Sequence, residues 1–183
     1  EPPRQFRVQT WSGGVVRLTW APPRTDEEDV LGEPATGYRV YHSLNGYGFD
    51  NGVDVGDVFN YDVEGLQIDV PHFFRVTAYN AGGEGFSTPV LAARINSLSQ
   101  RGVLVVEGFD RLDAWMAPEE DLTPFDLGTL RRFDLKRMNT YSYAVEHAWA
   151  LHELGLPFDS AWHDSPVSPD TMATHIGVLW NTG

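Results

Sequence analysis

The chain of 183 residues contains no cysteine. Disulfides, thiol nucleophiles and cysteine-ligated zinc are therefore excluded. Lysine is almost missing too: Lys136 stands alone against twelve arginines. Positive charge is short overall, with 13 basic residues against 26 acidic ones and a net charge of −13. The excess is shared, 13 acids to 7 bases as far as Ile95 and 13 to 6 beyond it. A surface of this sign repels phosphate backbones, which argues against nucleic acid as a partner and equally against anionic membranes. No run of eighteen apolar residues occurs, so no segment reads as a membrane-spanning helix. Position 1 is Glu, and no basic-then-apolar leader follows it. The expectation is a processed or excised piece of a longer protein.

Several chemical motifs are missing as well. No GxGxxG and no GxxxxGK[ST] follows the apolar run at 103–106, which argues against dinucleotides and nucleoside triphosphates. There is no GxSxG elbow. His147 and His152 are five apart, about 140° around a helix, so they do not share a metal, and HExxH spacing is absent. His163, Asp164 and Ser165 carry the letters of a hydrolase triad, but adjacent residues cannot form nucleophile, base and orienter by themselves. No cofactor and no metal centre is expected.

What is present suits packed cores: 42% hydrophobic and 13% aromatic residues, in a length that fits one large domain or two small ones. Up to Ile95 the chain reads as all-β. Strands are expected over 5–10, 15–20, 38–42, 53–58, 60–63, 72–80 and 88–95, separated by Gly, Pro and Asp clusters. In PHFFRVTAYNAGGEGFST (71–88), Phe74, Val76 and Ala78 alternate with Phe73, Arg75 and Thr77. Asn80 and three glycines in five residues then turn the chain into the next strand. With Trp20 in VVRLTWAPP, Tyr38 in GYRVYHS and Leu66 in VEGLQIDVP, this set resembles a fibronectin type III domain over about residues 3–95. The resemblance implies a seven-stranded immunoglobulin-like sandwich with Trp20, Tyr38, Leu66, Phe74 and Val76 in its core. It also implies a spacer or binding surface instead of an active site. The family places a Tyr six residues after the Leu, where its hydroxyl ties a corner; here that position is His72. Imidazole can donate one such bond, so a structural substitute is expected there.

Residues 50–57 (DNGVDVGD) place Asp50, Asp54 and Asp57 close together. They offer hard oxygen ligands, but the DxDxDG spacing and the later bidentate Glu are absent. Charges guarding an edge strand explain the run equally well.

Beyond a short polar connector at 96–102, which suggests that the two halves pack together, the pattern changes. VLVV at 103–106 reads as a strand buried on both faces, followed by a long irregular stretch over 109–138. A helix capped by Asn139 or Thr140 is expected over 141–154, with Ala144, Val145, Ala148, Leu151 and Leu154 at helical spacing, ended by Gly155 and Pro157. His147, one turn from Tyr143 and Leu151, reads as a half-buried structural residue. A strand follows at 158–162, then a short helix opened by Ser168, Pro169 and Asp170, and a third strand at 177–180. Strand, helix, strand, helix, strand is the start of a flavodoxin-like parallel α/β sheet of order 2-1-3 over 103–183. Three short strands make an incomplete sheet, so continuation past Gly183 or completion by a partner chain is expected.

Ligands of such sheets bind outside the carboxyl ends of the strands. That rim collects Asp110 and Arg111 after the first strand, His163 and Asp164 after the second, Asn181 after the third, and Asn139 and Thr140 at the helix start. Asp110 or Asp164 would serve as general base, His163 as its partner and Arg111 as an anion clamp, with Asn139, Thr140 and Asn181 binding substrate. Alternatively, His163 with Asp110 and Asp164 would equally suit a divalent metal, or Asp110 and Arg111 pair with each other or cap the loop.

VLVVEGFDR, RMNTYSYAVEHAWAL and LPFDSAWHDSPV together resemble a domain of secreted bacterial multidomain proteins over about residues 102–167. Those proteins are labelled xanthan lyase, N-acetylmuramoyl-L-alanine amidase or golvesin-like. The matching points are residues 108–111, Asn139, Thr140, His147 and residues 158–160; the stretch 115–136 departs from the pattern as an insertion. The resemblance implies an accessory, adhesive or structural fragment of a secreted or cell-surface bacterial protein, positioned on envelope or extracellular polysaccharide. The alternatives are part of a hydrolase or lyase acting on peptidoglycan or extracellular glycan at the strand-end rim, and a subunit of an extracellular assembly completed by a neighbouring chain.

Overall fold

The computed structural model describes residues 2–11, 13–24, 33–97, 101–108, 119–131 and 143–182. Among the described residues eight strands form the first half: β1 (Arg4–Trp11), β2 (Val15–Ala21), β3 (Gly37–Ser43), β4 (Val53–Gly56), β5 (Asn60–Val63), β6 (Pro71–Asn80), β7 (Gly83–Ser87) and β8 (Leu91–Arg94). β2 shows why they form. Val16, Leu18 and Trp20 are buried while Val15, Arg17 and Thr19 between them are only partly so, the two-residue period of a sheet with one covered face. β1, β2 and β5 pair antiparallel as one layer. β4, β3, β6 and β8 pair as the other, with β7 folded back on β6.

Between the layers lie Phe6, Val8, Val16, Leu18, Trp20, Tyr38, Val40, Phe74, Val76 and Leu91. Burying each large apolar side chain among them contributes about 1.5–3 kcal/mol. Trp20 and Tyr38 meet with ring centroids 5.6 Å apart. Four of the five expected core residues are thus fully inside, and Leu66 packs half-buried at the margin. The strand expected over 88–95 is interrupted. Thr88 turns its hydroxyl inward, accepting the Val76 N–H at 3.1 Å and donating to the Pro89 carbonyl at 3.0 Å, and β8 starts only at Leu91.

His72 occupies the corner as a structural substitute. Its ring is 1% exposed, and Nε2 lies 2.8 Å from the Gln67 carbonyl, closing the turn before β6. Asp50 and Asp54 act as turn-makers. Asp50 accepts from the His42 and Gly52 amides, and Asp54 from the Gly56 amide and the Tyr79 hydroxyl.

The second half contributes β9 (Val103–Glu107), β10 (Glu119–Asp121), β11 (Thr129–Arg131), α1 (Tyr143–Glu153), β12 (Phe158–Trp162), α2 (Pro169–Ala173) and β13 (Gly177–Asn181). β12, β9 and β13 run parallel with β9 in the middle, Phe158 and Gly177 both opposite Val103. α1 lays Val145, Ala148 and Leu151 on Phe73, Ala92, Val105 and Phe158. Its C-terminus closes through Leu156 N–H to the Leu151 carbonyl, with Gly155 at φ 71°. Ser168 caps α2, accepting the Thr171 N–H at 3.1 Å.

Two expectations need correction. The stretch 109–138 is not wholly irregular, because β10 and β11 form a hairpin around a 3-10 turn at Thr123–Phe125. Leu154 lies past the end of α1 and is exposed instead of joining its apolar face.

The larger departure concerns β12. A flexible or merely packed junction would leave two sheets. Instead β12 pairs parallel with β9 on one side and antiparallel with both β1 and β8 on the other. One eleven-stranded sheet therefore runs through both halves of the chain.

Candidate functional site

Two clusters of polar side chains surround β12: the strand-end rim and the seam with the eight-stranded half.

At the rim, Glu107 sits between Trp162 and Asn181 in the parallel register. Paired residues of a ladder share a face, and this face carries α1. The Glu107 side chain is 2% exposed, and its Oε2 accepts the Ala144 N–H at 3.1 Å in the first turn of α1. A carboxylate there satisfies an otherwise orphaned helix donor and complements the positive end of the helix dipole. The His163 N–H donates to the Glu107 carbonyl at 2.9 Å, and the His163 ring stands edge-on to Trp162. Asn181 is 8% exposed, and its Nδ2 has no hydrogen-bond partner among the described residues. Gly108 must be glycine here, because a Cβ would overlap the Asn181 carbonyl oxygen.

The structure thus brings His163 and Asn181 to one rim, as their strand positions require. Asp110, Arg111, Asn139 and Thr140 lie outside the described residues. Asp164 has turned the other way. Both its oxygens sit 3.0 Å from the Gln5 amide, where β1 bulges between Arg4 and Arg7 and Gln5 takes φ 55°.

The seam repeats that device. Ser165 donates to the Phe6 carbonyl at 3.1 Å. Asp159 accepts the Thr10 N–H at 2.7 Å. Ser160 accepts from the Ala92 N–H at 2.8 Å and donates to the Ala92 carbonyl at 2.6 Å. Arg94, on β8, reaches back to the Gly155 carbonyl at 3.0 Å. Two Asp–Ser pairs in FDSAWHDS therefore supply side-chain partners to backbone groups along β1 and β8. Sequence reasoning missed Glu107, Asp159 and Ser160. The doubled Asp–Ser pair around a short strand was the available signal.

On the opposite face, His175 Nε2 lies 3.2 Å from Asp159, and Nδ1 lies 2.9 Å from the Thr171 carbonyl. The bond to Asp159 raises the His175 pKa above its usual value, overcoming burial. Arg7, on β1 beside Asp159, is shifted down by burial. Both nitrogens of His175 are engaged, so this pair is a clamp between α2 and β12, not a proton shuttle. No cluster of three or more His, Asp or Glu side chains suited to a metal ion occurs among the described residues.

Residues 1–94 match the family model described as Fibronectin type III domain, which is more than half of the chain. The chain belongs to the fibronectin type III family. The fibronectin type III half is 30% identical over 93 residues to human neogenin, 51% of this chain and 6% of that protein. It is 34% identical over 92 residues to the tyrosine-protein phosphatase Lar of Drosophila melanogaster, 48% of this chain and 4% of that one. A Kelch domain-containing protein of Saccharolobus solfataricus is 30% identical over 93 residues, 50% of this chain and 11% of that one. The chain spans only a small part of each relative's length. The family match ends at Arg94, the last residue of β8, so the seam lies at the boundary of the fibronectin type III domain.

Proposed function

We propose that this chain is a structural or adhesive module of a secreted or cell-surface bacterial multidomain protein, with residues 103–183 forming the first part of a flavodoxin-like α/β unit. The observation that supports it is the seam. β12 pairs with one edge strand of each sandwich layer, β1 and β8, so the sandwich is held at a fixed angle to the parallel strands of the second half. Around β12, Asp159, Ser160, Asp164 and Ser165 are engaged in tying strands together. Such a rigid spacer holds a binding surface in one orientation, which a flexible linker does not. The partner class in this reading is an envelope or extracellular polysaccharide. The net charge of −13 favours a neutral glycan over an acidic one at low salt.

The test is co-sedimentation of the chain with insoluble peptidoglycan and with neutral and acidic polysaccharides, alongside assay of reducing-end release. Retention on a glycan without cleavage supports the module; cleavage by the isolated chain contradicts it.

A second reading, a hydrolase or lyase acting at the rim, draws on one observation: the buried Glu107 carboxylate beside Asn181 and His163, at the strand ends where such sheets bind ligands. In that reading His163 acts with Asp110 and Arg111 while Asn139, Thr140 and Asn181 hold the substrate, and Asp164, held at Gln5, drops out. Its test is the same assay on His163→Ala, which must lose any cleavage observed.

A further inference from the structure

We infer that His42 and His72 form a proton-operated latch, which holds the corner before β6 and the loop that docks the sandwich onto α1. The pair joins β3 to β6 at the end of the sandwich core. His42 lies opposite Phe74 in the ladder, and its Nε2 is 2.9 Å from Nδ1 of His72. The Gln67 carbonyl can only accept, so Nε2 of His72 carries the proton. Neutral His72 then has a bare Nδ1, and the facing Nε2 of His42 must donate to it. This relay has one protonation pattern when neutral.

A proton added to Nδ1 of His72 places two N–H groups face to face, and the bond between the rings is lost. A proton added to Nδ1 of His42 leaves that bond in place but puts a cation in a half-buried ring stacked on Phe74 at 5.1 Å and lying nearly in the plane of the His72 ring. Burial, first for both residues, lowers both pKa values; the His72 ring lowers that of His42 further, and Asp50 partly offsets this. The remaining charged groups near the corner face one another. Arg94 of β8 meets Asp69 at 3.5 Å, and His152 of α1 acts on the same Asp69.

The loop after His42 makes the latch more than a local feature. Across that loop the His42 N–H donates to the Asp50 carboxylate at 3.1 Å, and the His42 carbonyl accepts the Asp50 N–H at 3.0 Å. At its tip Gly46 packs so closely on Val145 of α1 that a Cβ would come within 2.7 Å, and the Tyr47 hydroxyl donates to Glu146 at 2.6 Å. Opening the pair therefore loosens the attachment of the sandwich to the helix. For a depressed pKa the stability is present above the unfolded value of about 6.5 and is lost as pH falls, about tenfold in the opening constant per pH unit for each proton taken up.

The test is amide hydrogen exchange of the full chain at pH 7.5 and 5.5, corrected for intrinsic rates, read over 43–52 and 64–72. The latch predicts that opening of these segments rises about tenfold or more in the wild type. In His72→Tyr, which replaces the ring by a non-titrating hydroxyl able to reach Gln67, only the His42 proton remains and the rise is several-fold smaller than in the wild type. A wild-type change under twofold, or an equal rise in the variant, overturns the inference. Should His72→Tyr fail to fold, an NMR titration of wild-type imidazoles decides. The latch requires that His72 take up its proton only as the corner opens. An ordinary midpoint near 6.5 with the Gln67 contact kept intact overturns it.

Discussion

The hydroxyl of Ser160 receives the N–H of Ala92 and donates to the carbonyl of the same residue, 68 positions away in the chain. One side chain on β12 thereby satisfies both backbone groups of a buried residue on β8, at the point where the sandwich would otherwise present a bare edge. Bare edges invite pairing with other chains. The relationship places the fibronectin type III sandwich and the following strands in one hydrogen-bonded unit.

Ser160→Ala removes the partner of both Ala92 groups at once. Each buried backbone group left unpaired costs about 1–3 kcal/mol, so the denaturation midpoint of the full chain is expected to fall by far more than an exposed Ser→Ala change allows. Urea unfolding followed by tryptophan fluorescence measures it.

Asp164→Ala removes the acceptor for the Gln5 amide at the β1 bulge, and about 1–2 kcal/mol of stability is expected to go with it. Asp164→Asn keeps a carbonyl oxygen at the site and loses less. Thermal melts of the two variants separate the cases: equal losses would show that charge matters at this position and not hydrogen bonding.

The clamp between His175 and Asp159 has the opposite pH sense to the histidine pair in the corner. Its folded pKa is raised, chiefly by the bond to Asp159. The stability it adds is fully present below the unfolded pKa near 6.5 and disappears as pH rises through the folded value. His175→Gln is thus expected to lower the melting temperature at pH 6 more than at pH 9. A difference from wild type that is the same at both pH values counts against the clamp.

Gly46→Ala puts a methyl group against Val145 at φ 82°, a backbone region where glycine is favoured. A loss of about 1–3 kcal/mol is expected. Faster proteolysis within α1 than in wild type would report the weakened docking.

Much of the fold was legible because it rests on short-range pattern. Alternation exposed β2 and β6, with Trp20, Tyr38, Phe74 and Val76 as core. Ser168 before a Pro marked the start of α2. The handedness of parallel crossovers gave the order of β12, β9 and β13. The seam was not legible for a physical reason. Asp159, Ser160, Asp164 and Ser165 bond to residues 68 to 159 positions away, and such bonds leave no periodicity in the strand that makes them. Glu107 escaped notice likewise, since a charged residue ending a strand reads as solvated until α1 is laid over it. At the rim, His163 and Asn181 followed from strand position alone, and Asp164 did not, because β1 claims it.

The central claim is that β12 closes the sandwich edge. Amide hydrogen exchange at single-residue resolution in the full chain tests it most directly, at Gln5, Thr10 and Ala92, whose N–H groups are served by Asp164, Asp159 and Ser160. The account predicts protection of the Ala92 and Thr10 amides comparable to that of the β6 core, falling selectively at Thr10 in Asp159→Ala and at Ala92 in Ser160→Ala. Exchange of these amides at the rate of exposed loops while β6 stays protected would contradict it.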